Sequence, residues 1–327
     1  MSIFTEQPMK NPELMAKFMD TFIKLAGNQK RVMIVHHNDA DGRMAATIAK
    51  MYYMSKDQDC KLYAMDYNME FQMHKEYQDE TIVIVDFSFK PDIMKRLITM
   101  TDDIIWIDHH ATAKSYETDY GRKLKGLRNF TNKGPAGCEL TWKYYYPTAR
   151  MPEAVNLIGT YDAWRDEDKE HFKRATDFME GLKCVPDALK PGTDFWLDLV
   201  DPTNGYDHDD IEDIVDDGVL ASAYRDNYCR ELREAFGYEI DWEGHKCYAL
   251  NAYKFGSLVY GPEIMKKYDV AIGYIHDGKK YMISLYSEKD IDVSAICKKH
   301  GGGGHKGAGG FTVAKLPWLT EESKQAE

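Results

Sequence analysis

Between residues 31 and 110, short apolar runs alternate with segments of helix-forming residues. The apolar runs are RVMIVHH, CKLYAM, TIVIVDF and DIIWID, and the segments that separate them include GRMAATIAKMYYM and KPDIMKRLITM. Runs that are apolar almost throughout are typical of strands buried on both faces, and strands that alternate with helices usually pair in parallel. The alternation therefore predicts an α/β fold with a doubly wound, mainly parallel sheet.

A second α/β pattern follows a mostly helical stretch. It contains the strand-like runs KCYALNA, DVAIGYI, KYMISLYS and GGFTVAK and the short helical segment DVSAICKKH. Before it, DPTNGYDHDD at 201–210 is rich in turn-forming and acidic residues, which is typical of a connection between domains. We therefore predict a larger domain at 1–200, a linker at 201–220 and a smaller C-terminal α/β domain at 221–327.

The composition restricts the partners. The net charge of −12 argues against a long footprint on duplex nucleic acid, which needs a basic surface. A nucleotide or short oligonucleotide still fits, because bound divalent cations and a few local Lys, Arg and His residues can supply positive charge. No apolar run is long enough to span a bilayer, the N-terminus lacks a secretory signal pattern, and the six cysteines show no C-x-x-C pair. We expect a cytoplasmic protein with reduced thiols and no membrane partner.

Acidic and histidine side chains follow three of the predicted strands. Taken singly, each could be a turn or capping residue, or a hydrogen-bonded structural histidine. The carboxyl ends of parallel strands, however, meet at one edge of the sheet, where α/β proteins bind their ligands. The sequence therefore predicts a metal site at this edge, built from His36-His37, Asp39 and Asp41 after the first strand, Asp86 after the third, Asp108-His109-His110 after the fourth, and Asp162 at the end of a predicted helix.

The types of ligand indicate the chemistry. Carboxylates and imidazoles without thiolates suit Mn²⁺, Mg²⁺ or related ions better than a structural zinc. A carboxylate on a central strand can bridge two ions, and two ions roughly 3.5–4 Å apart can activate a water and stabilise both oxygens of a phosphoryl displacement. The predicted cofactors are two divalent cations, Mn²⁺ first with Mg²⁺ or Co²⁺ as alternatives, and the predicted reaction is hydrolysis of a phosphoester.

The same residues resemble a known group of proteins. HNDADG, VDFS, IDHH and TYDAW, in that order, resemble the four motifs of the DHH phosphoesterase superfamily. KKHGGGGHKGAGGF resembles the glycine-rich signature of the companion C-terminal domain in RecJ-like nucleases and oligoribonucleases. The H-N-D-x-D-G form of the first motif is most similar to the NrnB branch of oligoribonucleases and cyclic-nucleotide phosphodiesterases. The resemblance implies an active site in the cleft between the two domains.

The resemblance also implies a role for each residue of the site. His37 and Asp39 would bind one metal, Asp86 would bridge both, and the second metal would take Asp41, His109 and Asp162. His110 would contact the scissile phosphate, and Asp108 would orient the histidine pair. In many relatives the ligand histidine lies four residues before the first aspartate of D-x-D, a position that holds Val35 here. His37, two residues before it, is the preferred ligand, with His36 as the alternative.

Residues outside the metal site are candidates for binding the substrate. Consecutive glycines let backbone N–H groups approach an anion closely, and the resemblance implies that a loop containing Gly302, Gly303, Gly304 and His305 holds the nucleotide. Relatives often have Ser-Leu-Arg-Ser in the preceding strand, whereas this chain has Tyr286 in place of the arginine, which we interpret as a base-stacking residue. Arg43, beside the D-x-D-G turn, could reach a phosphate or be a solvated surface arginine.

These observations favour a metal-dependent phosphodiesterase or exonuclease, an oligoribonuclease in type, that hydrolyses short single-stranded oligonucleotides to mononucleotides. The alternative within enzymes is a phosphatase or phosphodiesterase for small nucleotides such as 3′-phosphoadenosine 5′-phosphate or a cyclic mono- or dinucleotide. The alternative outside enzymes is a nucleotide-binding protein without activity, which missing metal ligands would indicate. All the candidate ligands are present. A homodimer is one assembly that the sequence allows.

Overall fold

A computed structural model describes residues 31–67, 69, 71, 80–120, 124–200 and 208–319 of the chain. The chain divides into two compact units, Met1–Val219 and Leu220–Glu327, and each is described by itself. The first unit contains β1 (Val32–His37), α1 (Ala40–Met54), β2 (Cys60–Met65), β3 (Thr81–Val85), α2 (Pro91–Met100), β4 (Ile104–Ile107), α3 (Tyr116–Asp119), α4 (Gly137–Tyr145), α5 (Glu153–Asp162), α6 (Lys169–Leu182) and α7 (Asp194–Val200), with short 3₁₀ turns at Ala111–Ala113 and Pro186–Leu189.

The sheet of the first unit is parallel throughout, in the order β2-β1-β3-β4. Both of its faces are buried. Val32 and Ile34 of β1 point into a core that they share with α1, α4, α5 and α6, whereas Met33 and Val35 point into a second core that they share with α2. Alternate residues of one strand thus serve two apolar layers, which explains the uninterrupted apolar runs. The predicted α/β fold with a parallel sheet is confirmed.

The second unit contains a six-stranded mixed sheet in the order β5-β6-β7-β8-β10-β9. Its only parallel pair among the described strands is β6 with β7, and the other neighbours are antiparallel. A core that includes Ile272, Leu285 and Phe311 packs against this sheet together with the last helix. The elements are β5 (Tyr238–Trp242), β6 (His245–Asn251), a 3₁₀ turn (Gly256–Val259), β7 (Val270–His276), β8 (Tyr281–Tyr286), β9 (Gly303–His305) and β10 (Ala308–Val313), with two helices at Gly261–Lys267 and Val293–Lys299.

The region predicted as a linker at 201–220 is helical from residue 208 onward, and residues 201–207 lie outside the described residues. The helix, α8, spans His208–Phe236, so the boundary between the two units falls within it. Ile211, Ile214 and Val215 lie on one face of α8 and are buried in the core of the first unit, so apolar spacing prevailed over the turn-forming composition. Neither α8 nor any other described helix combines the length and the apolar character needed to cross a membrane.

Candidate metal centre

The register of the parallel sheet places three of the predicted site residues side by side. His36 pairs with Val85, and Val85 pairs with Ile107. The residues that follow these partners are His37, Asp86 and Asp108, and they therefore leave the sheet in one row at its carboxyl edge. The backbone N–H of Asp86 donates to the carbonyl of Ile107 at 2.9 Å, which fixes this end of β3 against β4.

Three groups of side chains at this edge have the spacing of metal ligands. Within each group, one ligand atom from every member lies within 4.8 Å of the others. Two of the groups share Asp86 and two share His109, so together they form one continuous cluster. The groups are His37, Asp39 and Asp86; Asp86, His109 and His110; and Asp41, His109 and Asp162.

Asp86 lies at the centre of this cluster. Its side chain is 1% exposed, and its backbone adopts a left-handed conformation with φ +51°. Such a conformation is uncommon outside glycine, although aspartate tolerates it better than most residues. Burial, reinforced by the carboxylates of Asp41 and Asp39, raises the pKa of Asp86 well above its ordinary value. Both of its carboxylate oxygens are buried without a hydrogen-bond donor among the described residues.

His109 lies close to three carboxylates of the cluster. Its Nε2 atom lies 3.2 Å from Asp86 Oδ1, 3.2 Å from Asp162 Oδ2 and 3.4 Å from Asp41 Oδ2. Within the described part of the chain this nitrogen has no hydrogen-bond partner, because none of the three contacts has suitable geometry. Burial, followed by the charges of Asp41 and Asp39, raises the pKa of Asp162 to about 8. The cluster thus gathers lone pairs around His109 with too few donors to satisfy them.

The N-terminus of α4 holds Asp41. The backbone N–H groups of Gly137 and Cys138 donate to its two carboxylate oxygens at 2.8 and 2.7 Å. Free N–H groups and the helix dipole both favour a negative charge at this position. A Cβ atom on Gly137 would lie only 2.5 Å from Cβ of Asp86, so the close approach of α4 to the cluster requires a glycine.

The two adjacent histidines of β1 have different surroundings. His37 Nδ1 lies 2.7 Å from Asp39 Oδ2, and although burial opposes it, this contact lowers the pKa of Asp39 to about 2. His36 is fully buried, its Nδ1 lies 2.6 Å from the carbonyl of His37, and burial lowers its pKa to about 4. The geometry brings His37, and not His36, into a group with Asp39 and Asp86.

Asp108 is fully buried behind the histidine pair. One of its oxygens accepts from the backbone N–H of His109 at 2.8 Å and lies 2.8 Å from Nδ1 of His110. Its other oxygen accepts from the hydroxyl of Ser88, which in turn accepts from the indole N–H of Trp106. Burial opposes protonation of His110, yet the hydrogen bond and the charge of Asp108 raise its pKa. Asp108 thus fixes the orientation of the His110 ring.

An ion pair links helices α4 and α5, which position Asp41 and Asp162. Glu139 of α4 is 8% exposed and accepts from both terminal nitrogens of Arg165 at 2.8 and 2.9 Å, just beyond the end of α5. Glu139 also accepts from the backbone N–H of Ala136 at the start of α4. The pair therefore links the start of α4, which holds Asp41, to the end of α5, which carries Asp162.

We expect Arg165→Met to destabilise the fold by about 3–5 kcal/mol, because it leaves the Glu139 carboxylate buried without its partner. The matched control is Arg174→Met, since Arg174 pairs with Glu153 and Glu212, whose side chains are 37% exposed. Loss of such solvated pairs costs about 1 kcal/mol or less. Urea unfolding measures both. Adding Glu139→Gln to Arg165→Met should recover part of the loss, and equal losses in the two single variants would contradict this account.

The predicted substrate-binding residues lie in both units. In the first, Arg43 donates to the carbonyl and side-chain oxygens of Asn38 at 3.1 Å, so its guanidinium is already engaged by the loop after β1. In the second, Ala308 of β10 pairs with Tyr286 on one side and with His305 on the other. Tyr286 and His305 therefore flank the same position of the sheet.

The loop expected to contain Gly302, Gly303, Gly304 and His305 forms part of a tight hairpin in the second unit. Gly303–His305 forms β9, which pairs antiparallel with β10. A Cβ atom on Gly302 would lie 2.1 Å from the carbonyl oxygen of Gly310, and Gly304 has φ +145°. Gly302 therefore has no room for a side chain and the backbone of Gly304 favours glycine, whereas a Cβ atom on Gly303 would meet no neighbour within 4 Å.

The residues of the cluster fit divalent cations. Buried carboxylates with raised pKa values and a buried imidazole nitrogen without a donor are unfavourable unless positive charge lies between them. Their donors are oxygen and imidazole nitrogen only, which is the preference of Mn²⁺ and Mg²⁺. Cys138 contributes only its backbone N–H to the cluster, and its thiol donates to the carbonyl of Val155 at 3.5 Å.

Several residues that shape the cluster were not assigned a role from the sequence. Ser88 lies in the VDFS motif, but only the structure shows that its hydroxyl donates to Asp108. Gly137 and Glu139 could have been suspected from the helix start GPAGCEL, although nothing in the sequence connects them to Asp41 or Arg165. Tyr67, whose ring lies 5.5 Å from that of His37, carried no sequence signal.

Comparison of the sequence with known proteins gives a distant relative. No protein-family model matches the chain. It is 22% identical over 258 residues to the uncharacterized protein R106 of Acanthamoeba polyphaga mimivirus, an alignment that covers 76% of this chain and 57% of that protein. The chain thus spans less than two thirds of the length of this relative.

Two solved structures resemble the chain over most of its length. One is the DHH domain of PF0399, a member of the s1p family of ribosomal proteins, with a TM-score of 0.54, 14% identity and coverage of 90% of this chain and 85% of that one. The other is PggH of Vibrio cholerae, a pGpG-specific phosphodiesterase, with a TM-score of 0.50, 14% identity and coverage of 87% and 94%. The chain therefore has the fold of the DHH-domain proteins.

Proposed function

We propose that this protein is a metal-dependent phosphodiesterase that hydrolyses short oligonucleotides to mononucleotides. The observation that carries the proposal is that two groups of metal-type ligands adjoin each other at Asp86. His37 and Asp39 group with Asp86, and Asp41 and Asp162 group with His109, whose Nε2 lies 3.2 Å from Asp86 Oδ1. Two neighbouring groups of this kind suit a phosphoryl displacement assisted by two cations.

The proposed ligands follow from these groups. His37 and Asp39 would hold one cation, Asp41, His109 and Asp162 would hold the second, and Asp86 would contribute to both. Mn²⁺ is our first choice, and Mg²⁺ or Co²⁺ also fits these donors. The cations would supply an activated water and neutralise charge on the phosphoryl oxygens.

The side chains around the cluster have their own proposed tasks. Because Nδ1 of His110 is engaged by Asp108, its Nε2 is the nitrogen that remains for the substrate. We assign His110 to hydrogen-bond a phosphoryl oxygen and Asp108 to hold the ring in that orientation. In the second unit, His305, Tyr286 and the glycine-rich segment Gly302–Gly304 are assigned to substrate binding.

The nature of the substrate is supported by charge and by comparison. A net charge of −12 disfavours long duplexes, whereas a short strand places few phosphates near the acidic surface. PggH, which shares the fold, is described as specific for pGpG, a linear dinucleotide. Small-nucleotide hydrolysis, of a bisphosphate or a cyclic dinucleotide, is the second candidate and uses the same cluster.

A substrate screen tests the proposal. The protein would be incubated with Mn²⁺ and, separately, with EDTA, and products of a dinucleotide, a pentanucleotide, a cyclic dinucleotide and 3′-phosphoadenosine 5′-phosphate would be separated by chromatography. We expect Mn²⁺-dependent release of mononucleotides from the two linear substrates and no release in EDTA. Turnover of the bisphosphate or the cyclic compound alone would favour the second candidate. No turnover of any substrate with Mn²⁺, Mg²⁺ or Co²⁺ would contradict both.

A further inference from the structure

Two large aromatic side chains beside the metal centre are exposed to solvent. Tyr67 is 49% exposed and Trp164 is 59% exposed. Tyr67 contacts histidines of the cluster, and Trp164 follows the ligand Asp162 by two residues. Proteins that bind single-stranded nucleic acid often stack its bases on aromatic side chains along the binding groove. The tasks proposed above for the cluster use neither side chain.

The ring of Tyr67 is held in place from one side. It stacks on the ring of Phe87 with a centroid distance of 4.9 Å, and Phe87 is buried. The same ring lies 5.5 Å from the ring of His37 and meets the ring of His110 edge-on at 5.7 Å. The Tyr67 ring is therefore held in place next to His110, the histidine that we assign to the phosphate.

Trp164 is exposed at a turn where its backbone has an unusual conformation. Its φ is +51°, a left-handed conformation that is an outlier for so bulky a residue. The turn is closed by its N–H, which donates to the carbonyl of Tyr161 at 3.1 Å, and its indole meets the ring of Phe172 edge-on at 5.0 Å. Strained conformations of this kind concentrate at functional sites, where the surrounding structure maintains them.

The two aromatic residues adjoin different ligand groups of the cluster. Tyr67 contacts His37 of one group, and Trp164 follows Asp162 of the other group by two residues. Aromatic rings bind nucleobases by stacking, without sequence preference. We infer that Tyr67 and Trp164 each stack on one of the two bases that flank the scissile phosphate, so the site selects phosphodiesters with a base on both sides. This inference rests on the proposed function and narrows its substrate class.

A binding experiment tests the inference without turnover. The ligand is a uridine dinucleotide analogue in which a methylene group replaces the bridging leaving oxygen, prepared with both bases, with only the 5′ base or with only the 3′ base. Isothermal titration calorimetry in Mn²⁺ gives dissociation constants for the wild type, Tyr67→Ala and Trp164→Ala. Met54→Ala is the matched control, because Met54 is also 49% exposed but ends α1 at the opposite edge of the sheet.

We expect each aromatic-to-alanine variant to weaken binding of the complete analogue by about tenfold or more, the usual effect of losing one base stack. Each variant should also become insensitive to removal of one base, and the two variants to different bases. Tyr67→Phe should bind as the wild type does, because stacking needs the ring and not the hydroxyl. Met54→Ala should leave every constant unchanged.

The outcomes separate this inference from the proposed function. Equal weakening of the complete and the single-base analogues in both variants would overturn the inference, since it indicates a structural role. Wild-type affinity in Tyr67→Ala and Trp164→Ala would also overturn it. Absence of binding by the wild type, together with no turnover in the substrate screen, would overturn the proposed function and the inference with it. Turnover with normal binding by both variants would overturn the inference alone.

Discussion

Replacement of Asp86 by asparagine is expected to abolish binding of Mn²⁺ and to lower kcat by about 10²–10³-fold, the range found when one electrostatic group of an active site is removed. Asparagine has the same shape as aspartate and tolerates the left-handed backbone that Asp86 adopts. The variant therefore removes a charge and a ligand without a large steric change. Alanine would add strain at the same position.

Thermal unfolding with and without metal measures the loss of metal binding separately from the loss of activity. A cation at 100 times its dissociation constant stabilises the wild type by about 2.7 kcal/mol, which corresponds to a rise in Tm of roughly 5–10 °C. Asp86→Asn should lose this rise. In EDTA its Tm should equal or exceed that of the wild type, because burial and neighbouring carboxylates already make the Asp86 charge unfavourable.

Asp103→Asn is the matched control for Asp86→Asn. Asp103 precedes β4 at the opposite edge of the same sheet, where its carboxylate accepts from Thr81 and Lys125. This variant should keep both the stabilisation by Mn²⁺ and the turnover of the linear substrates. If Asp86→Asn keeps them as well, the central position of Asp86 in the proposed centre is wrong.

The fold of the first unit was predictable because its signals are local. Each strand of the parallel sheet is a short apolar run, and the predicted runs 31–37 and 60–65 compare with the observed Val32–His37 and Cys60–Met65. The helices between them have the spacing of one apolar face. Residues that follow the strands then had to meet at one edge, so the sequence could predict that the acids and histidines converge.

The remainder of the site depends on contacts that no local pattern reports. Asp41 is held by backbone N–H groups nearly 100 positions later in the chain, at Gly137 and Cys138. The left-handed backbone of Asp86, beside the start of α4, has no local signal either. Trp164 is exposed by a turn that its sequence, TYDAW, does not signal. Similarly, the turn-forming composition of residues 201–210 gave no signal of α8, which is helical from residue 208 and buries Ile211, Ile214 and Val215.

The second large effect, on both the stability of the fold and the binding of metal, is expected from a substitution of Gly137. A Cβ atom there would lie 2.5 Å from Cβ and 2.7 Å from Oδ1 of Asp86, closer than unbonded atoms can approach. In an unobstructed helix, alanine would be the more favourable residue. Here we expect Gly137→Ala to destabilise the fold by about 1–3 kcal/mol, as overpacking does. It should also remove the stabilisation by Mn²⁺, because Asp86 has to move out of the cluster.

A double-variant cycle measured by urea unfolding in EDTA tests this steric account. Asp86→Gly removes the side chain that alanine at 137 would strike, and glycine adopts φ +51° without cost. If the clash is the cause, Gly137→Ala should cost about 1–3 kcal/mol in the wild-type background and close to nothing in the Asp86→Gly background. Lys143→Ala, at an exposed position of the same helix, should have the same small effect in both backgrounds. An equal cost of Gly137→Ala in the two backgrounds would show that Asp86 is not what limits the approach of α4.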